Sequence, residues 1–266
     1  MTPLGETNVF DLSPVDLGPA IIFALALFAT VGTALTRRFV LPYIKDDHDR
    51  GQRHVELVQT LLVVYGLVAC LILISTFRTY SDASVTVSRE ANQIGRLYKE
   101  VSFYPEPEKS RLQGMLREYA KYLIDEAWPQ IERGDPHIAG DRNLSEIQRE
   151  LERFEPSTEE QRVLHDRTLS TFERLSNGTH ARMEAVATAL PKMFWFFIVF
   201  GAIISVGATF FLDPERGTDH RKFVLFLSML FGLIIFLILS LDRPFRGHWR
   251  VGSLPYQRVY EGLMNQ

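Results

Sequence analysis

The sequence has one cysteine, Cys70, in 266 residues, which excludes an intramolecular disulfide framework. Residues 1–16 contain no lysine or arginine. The basic start of a cleavable signal peptide is therefore missing, and the first apolar segment is expected to stay as an anchor. There is little net charge: 29 Lys and Arg against 32 Asp and Glu leave −3, without the basic surplus that a nucleic-acid partner calls for. No His-Glu-x-x-His pair, no Cys/His spacing and no phosphate loop can be found. No catalytic residue, metal site or cofactor is therefore expected, and the chain does not read as an enzyme. Charge is also missing from four long stretches. Residues 17–36, 193–212 and 223–241 contain no acidic or basic residue, and 55–77 carries only Glu56.

Each of those stretches has the ~20 apolar residues that cross roughly 30 Å of hydrocarbon. They predict an all-α membrane protein: four transmembrane helices with an all-helical soluble insert between the second and third. The expected divisions are 1–77 (N-terminal segment and helices 17–36 and 55–77), 78–190 (insert), 191–241 (helices 193–212 and 223–241) and 242–266 (amphipathic tail, along the membrane interface or packed on the insert). The short link from Arg37 to His54 predicts that the first two helices are antiparallel neighbours.

The second helix is expected to continue past the membrane, from about Val55 to Phe103. Phe77, Tyr80, Ser84, Val87, Ala91, Ile94 and Tyr98 follow helical spacing, and no proline interrupts before Pro105. In the insert, Leu112, Leu116, Tyr119, Leu123 and Ala127 mark one helical face, with Pro129 bending or restarting that helix. Residues 134–141 read as a loop. Ser157 and Glu160 match a capping box opening a long helix toward the third span. Asn177-Gly178 is expected to weaken that helix, and Pro191 to kink it.

Two groups on the second helix are candidates for lining an ion path. Glu56 and Gln59, three residues apart, are either a charged ring at a pore mouth or headgroup-level residues beside Arg53 and His54. Ser75, Thr79, Asp82 and Thr86 form a polar stripe, either an ion route or the solvated face of an exposed helix. Asp46, Asp47, His48 and Asp49 read as a solvated loop rather than a divalent-cation site. Asp242 at a helix C-terminus opposes the helix dipole and calls for a partner, such as Arg246 or a base on another helix. Gly32, Gly201, Gly207 and Gly232 permit close helix packing.

Three stretches carry a resemblance: Arg89-Glu90-Ala91-Asn92-Gln93-Ile94; Leu112 to Lys121, with Leu116 to Tyr119 at its centre; and Leu241-Asp242-Arg243-Pro244-Phe245-Arg246-Gly247. In these the chain resembles the bestrophin-like family of bacterial membrane proteins, distant kin of the pentameric bestrophin ion channels. The resemblance implies a multi-pass protein of the bacterial inner membrane, a homo-oligomer with a pentamer as its model, and small ions as the cargo. The other reading is a non-conducting scaffold or sensor whose insert binds a protein. The chain departs from bestrophins at two places. Only Asp242 stands where the acidic calcium clasp would be, and Leu61 to Gly66 lack the phenylalanine-rich neck. Membrane sidedness stays open. Five basic residues in the first loop favour termini and insert outside the cytoplasm, whereas the basic tail and the bestrophin arrangement point inward.

Overall fold

The structure is a computed structural model that describes residues 14–40, 48–133, 140–212, 217–247 and 249–265. No strand occurs among the described residues. The chain divides into two units, 1–78 with 189–242, and 79–188 with 243–266. Asp46, Asp47 and residues 134–139 of the expected loop lie outside the described residues, while Gly140 and Asp141, expected in that loop, open a helix.

The first unit holds α1 (Pro14–Leu35), the first half of α2 (His48–Val101), α7 (Lys192–Thr209) and α8 (Gly217–Leu241). All four helices are long and apolar enough to cross a membrane. Their outward residues are apolar and exposed, among them Leu57, Val63 and Leu67 of α2 and Phe196 and Phe226 of α7 and α8. In water that surface would drive association, whereas in lipid it is the ordinary exterior. The inner residues, including Ala29, Tyr65, Ala69, Ile198, Ala202, Phe231 and Ile235, form one apolar core. Buried hydroxyls at Thr33, Thr76 and Ser228 donate to carbonyls four residues back, which satisfies them without water.

Tyr65 is the polar anchor of this core. Its hydroxyl donates to the Ile198 carbonyl oxygen at 2.7 Å, and its ring meets Phe231 edge-on at 4.9 Å. A Cβ at Gly201 would lie 2.5 Å from the Tyr65 ring, so only glycine lets α7 approach that closely. The expected α1–α2 hairpin is not the main pairing: α1 packs chiefly on α8, and more lightly on α7. The reason is visible at Gly232, where a Cβ would sit 2.9 Å from the Ile22 backbone. A small residue on α8 lets those two helices meet at backbone distance.

The second unit is built on the continuation of α2. This helix runs unbroken for 54 residues, a length of about 80 Å. It ends at Val101, before the Tyr104–Pro107 turn. The unit adds α3 (Glu108–Tyr122), α4 (Trp128–Arg133), α5 (Gly140–Glu152), α6 (Glu159–Ala187) and, from the tail, α9 (Leu254–Val259). A π-helical turn, Leu123–Ala127, joins α3 to α4. It absorbs Pro129, which sits in the first turn of α4, where its missing N–H costs little.

Three local expectations shift. The cap of α6 is one residue later: Thr158 accepts the Gln161 N–H, while Gln161 Oε1 accepts the Ser157 N–H. Asn177-Gly178 does not break α6, where the flanking Leu175, Thr179 and Arg182 are all buried in the packing of this unit. Nor does α6 run on to a kink at Pro191; it ends at Ala187, and α7 begins afresh after Pro191. The tail packs into its own unit: Val251, Tyr256 and Met264 are buried in the core with Leu97, Leu116, Trp128 and Leu151. These three are therefore not laid on a membrane surface.

Candidate functional site

Positions 83, 87, 90, 94, 97 and 101 of α2 recur at steps of three and four, so they share one helix face. All are buried; five are Ala83, Val87, Ile94, Leu97 and Val101, and the sixth is Glu90, 0% exposed. A charged group in that position needs a countercharge and donors. Three other helices supply them. Arg182 of α6 donates through Nε to Glu90 Oε2 at 2.7 Å, and the Tyr256 hydroxyl of α9 donates to the same oxygen at 2.7 Å. On Oε1, the Thr179 hydroxyl donates at 2.9 Å and the Tyr119 hydroxyl of α3 at 3.3 Å. Four donors thus fill the carboxylate, and Arg182 itself is 1% exposed.

The electrostatics follow from that packing. Burial, reinforced by the Glu90 charge, pushes the Tyr119 and Tyr256 phenols above the ordinary tyrosine value. Burial alone would lower the Arg182 guanidinium, but the Glu90 charge, with Tyr256 and Tyr119, outweighs it and holds it above the ordinary arginine value. The node is therefore a fixed ion pair held by neutral phenols. Both carboxylate oxygens and the Arg182 Nε are hydrogen-bonded across helices, while Arg182 Nη1 is buried with no hydrogen-bond partner among the described residues; the node joins four helices of this unit.

A second polar contact lies just past the end of α2, in the turn that follows Val101. The Tyr104 hydroxyl and His165 Nδ1 share a hydrogen bond at 2.8 Å, with the Phe154 ring 5.4 Å from the imidazole. Burial holds His165 below the ordinary histidine value, against a smaller opposing pull from Asp166. Glu100, the nearby carboxylate, accepts from Arg96 and Arg167, each at 3.0 Å.

The stripe residues lie apart from the Glu90 node. Ser75 and Asp82 are exposed and Thr79 and Thr86 half-buried, while Glu56 and Gln59 are exposed near the start of α2. Of the motif residues beside Glu90, Ala91 is buried and Asn92 exposed. At the end of α8, Leu241 is half-buried, and the buried Asp242 accepts the Leu190 N–H at 2.6 Å, just before α7. Arg243 is half-buried, and Pro244 and Phe245 are buried. The Phe245 ring lies 5.9 Å from Trp128, which in turn lies 5.3 Å from Tyr256. The chain then folds back on itself, with the Val251 N–H donating to the Pro244 carbonyl at 2.7 Å. Gly247 makes that turn at φ +84°, a left-handed conformation that favours glycine. Among the described residues no group of three or more His, Cys, Asp or Glu side chains is placed to hold a metal ion.

A family model described as the bestrophin-like domain matches residues 23–256. The chain belongs to the bestrophin-like family. Its fold agrees with solved structures of bacterial relatives. A bestrophin homologue from Klebsiella pneumoniae superposes with a TM-score of 0.70 at 11% identity, covering 93% of this chain and 98% of that one. A point mutant of that homologue gives 0.71 at 10% identity over 92% and 97%. A further membrane-protein crystal structure gives 0.71 at 10% over 93% and 98%. A comparison with curated protein sequences finds no match. The chain is thus a bestrophin-type membrane protein, with no strand and four apolar helices of membrane-crossing length among its described residues.

Within this bestrophin-like chain, the sequence signalled Glu90 only as part of a motif, and Tyr119 only as part of another motif and as a position on an apolar helix face. Arg182, Thr179 and Tyr256 went unnoticed as polar partners. The usable signal was the register of Glu90, a lone acid among five buried apolar positions at helical spacing.

Proposed function

We propose that this bestrophin-like protein is an oligomeric ion channel in which several copies place their α2 helices around a common axis. The observation that carries this reading is the stripe Ser75, Thr79, Asp82 and Thr86 on an unbroken helix that also carries one of the apolar spans. Steps of four, three and four residues keep these positions on one face. In a single four-helix unit there is little room for an aqueous path, so identical stripes must be pooled by cyclic symmetry. A pentamer is the assembly suggested by kinship with bestrophins. Glu56 and Gln59 then form a ring at one mouth, and Asp82 forms a ring further along. The second unit is the extramembrane domain, inserted between the second and third spans and completed by the tail. The bacterial inner membrane fits four apolar helices of this length.

The test is conductance of the purified protein in planar bilayers, with its mass measured in detergent. Asp82→Asn is expected to change the cation-to-anion permeability ratio, and Thr79→Leu to lower unitary conductance. A monomeric mass under folding conditions would sink the assembly. A measurable conductance unchanged by both substitutions would sink the stripe as its path. Absence of any conductance from a folded oligomer would favour the non-conducting scaffold instead.

A further inference from the structure

In the first unit, α1 and α8 run antiparallel. Gly18 lies against Phe236, and four residues on, Ile22 lies against Gly232, four residues back along α8. Continuing that register brings the level of Thr33 to that of Arg221. At that end a cavity of about 350 Å³ is lined by Thr30, Thr33, Ala34, Arg37, Arg38 and Arg221. Arg37 and Arg38 come from the π-helical turn Thr36–Val40 that closes α1, and Arg221 from the first turns of α8. Arg38 and Arg221 are exposed, and Arg37 is half-buried. Single arginines at helix ends often reach for headgroups. Here three guanidinium-bearing residues from two helices surround one concavity.

The chemistry of the lining is selective. Each guanidinium offers a planar fork of donors suited to the oxygens of a phosphate. The Thr30 and Thr33 hydroxyls donate to the carbonyls of Leu27 and Ala29, so toward the cavity their oxygens are acceptors, suited to hydroxyl groups on a ligand. Leu27, Val31 and Leu35, all exposed, descend α1 beside the cavity at steps of four. They offer an apolar track for acyl chains below a headgroup.

We propose that this cavity binds the phosphate of an anionic phospholipid, with Arg38 and Arg221 holding the phosphate oxygens. The shared chemistry is a phosphate oxyanion, and free phosphate is the other source of it. The proposal does not depend on whether the protein conducts.

The test uses the full-length protein in detergent. Retention of dioleoyl-phosphatidylglycerol and of dioleoyl-phosphatidylcholine is compared by native mass spectrometry, and thermal midpoints are read with inorganic phosphate against chloride at equal ionic strength. Retention of phosphatidylglycerol over phosphatidylcholine is expected, weakened about fivefold by Arg38→Gln and by Arg221→Gln, the size of one basic side chain's attraction to an anionic surface. Lys222→Gln, which removes a neighbouring charge outside the cavity lining, is expected to leave retention unchanged. Arg38→Lys and Arg221→Lys keep the charge and most of the binding, which separates loss of the site from loss of fold. A phosphate-induced shift that needs both arginines, with neither lipid retained, supports the oxyanion site and assigns it a soluble source. Equal retention of phosphatidylglycerol by wild type and both glutamine variants, with no phosphate-dependent shift, overturns the proposal. So does a loss in Lys222→Gln as large as in Arg221→Gln.

Discussion

Replacing Glu90 by glutamine removes one charge and almost no volume. In the folded protein it leaves the Arg182 guanidinium, 1% exposed, without its countercharge. It also turns one carboxylate oxygen into an NH₂ group facing hydroxyls that were donating to it. Breaking a buried pair from one side costs about 3–5 kcal/mol, a large share of the ~5–15 kcal/mol that holds a typical domain together. The thermal midpoint of the purified protein, followed by far-ultraviolet circular dichroism in detergent, is therefore expected to fall by on the order of 10 °C. Tyr256→Phe removes one hydrogen bond to a charged group and keeps the ion pair, so about 1.5–3 kcal/mol is at stake. The decisive arm is the double variant Glu90→Met with Arg182→Met. Filling both positions with apolar side chains of similar reach removes the buried charges together, and its loss should be well below the sum of the two single losses. Glu90→Gln within ~1 kcal/mol of wild type, on the scale of an ordinary point mutation, would refute the claim that this pair ties the helices together. Additive losses in the double variant would refute it independently.

Three further outcomes follow from the packing. His165 is held below its ordinary value by burial, so its contribution to stability is complete above pH ~6.5 and is lost as pH falls through the depressed folded value; acid titration of the thermal midpoint should show this slope, and His165→Phe should flatten it. Gly201→Val forces a branched side chain against the Tyr65 ring and is expected to cost about 1–3 kcal/mol, read as a lowered midpoint in detergent with the helix content of the folded state unchanged. Thr158→Ala removes the side-chain acceptor for the Gln161 N–H and should cost about 1 kcal/mol, while Ser157→Ala, which keeps the backbone N–H that Gln161 takes, should be nearly neutral.

The apolar helices and the long reach of α2 were legible because each rests on a local pattern. Twenty residues without charge, or an apolar face free of proline from Phe77 to Tyr98, need no distant partner to be recognised. The α1–α8 pairing was not legible in the same way. Nothing in the short link after α1 says which neighbour a helix will choose; the fit of Gly232 to the Ile22 backbone decides it. The α6 cap illustrates a narrower failure, since Ser157 and Thr158 are adjacent caps of nearly equal quality, each with a Glu or Gln three residues on. At Asn177-Gly178 propensity pointed to a break, and the burial of Leu175, Thr179 and Arg182 around it overrode that propensity. The polar node was hidden for a different reason: each of its members is chemically ordinary until the fold brings them to one point.

That hiddenness has a counterpart in biosynthesis. Glu90 meets its charge partner 92 residues later in the chain and its last hydroxyl donor 166 residues later. At ~5–20 residues per second, a nascent α2 therefore waits roughly 5–20 s for Arg182 and nearly twice as long for Tyr256. Until Arg182 is made the acid cannot be buried without severe cost, so the face that carries it stays wet or is shielded by another protein until then. The order of synthesis thus makes the tail the final closure of this domain.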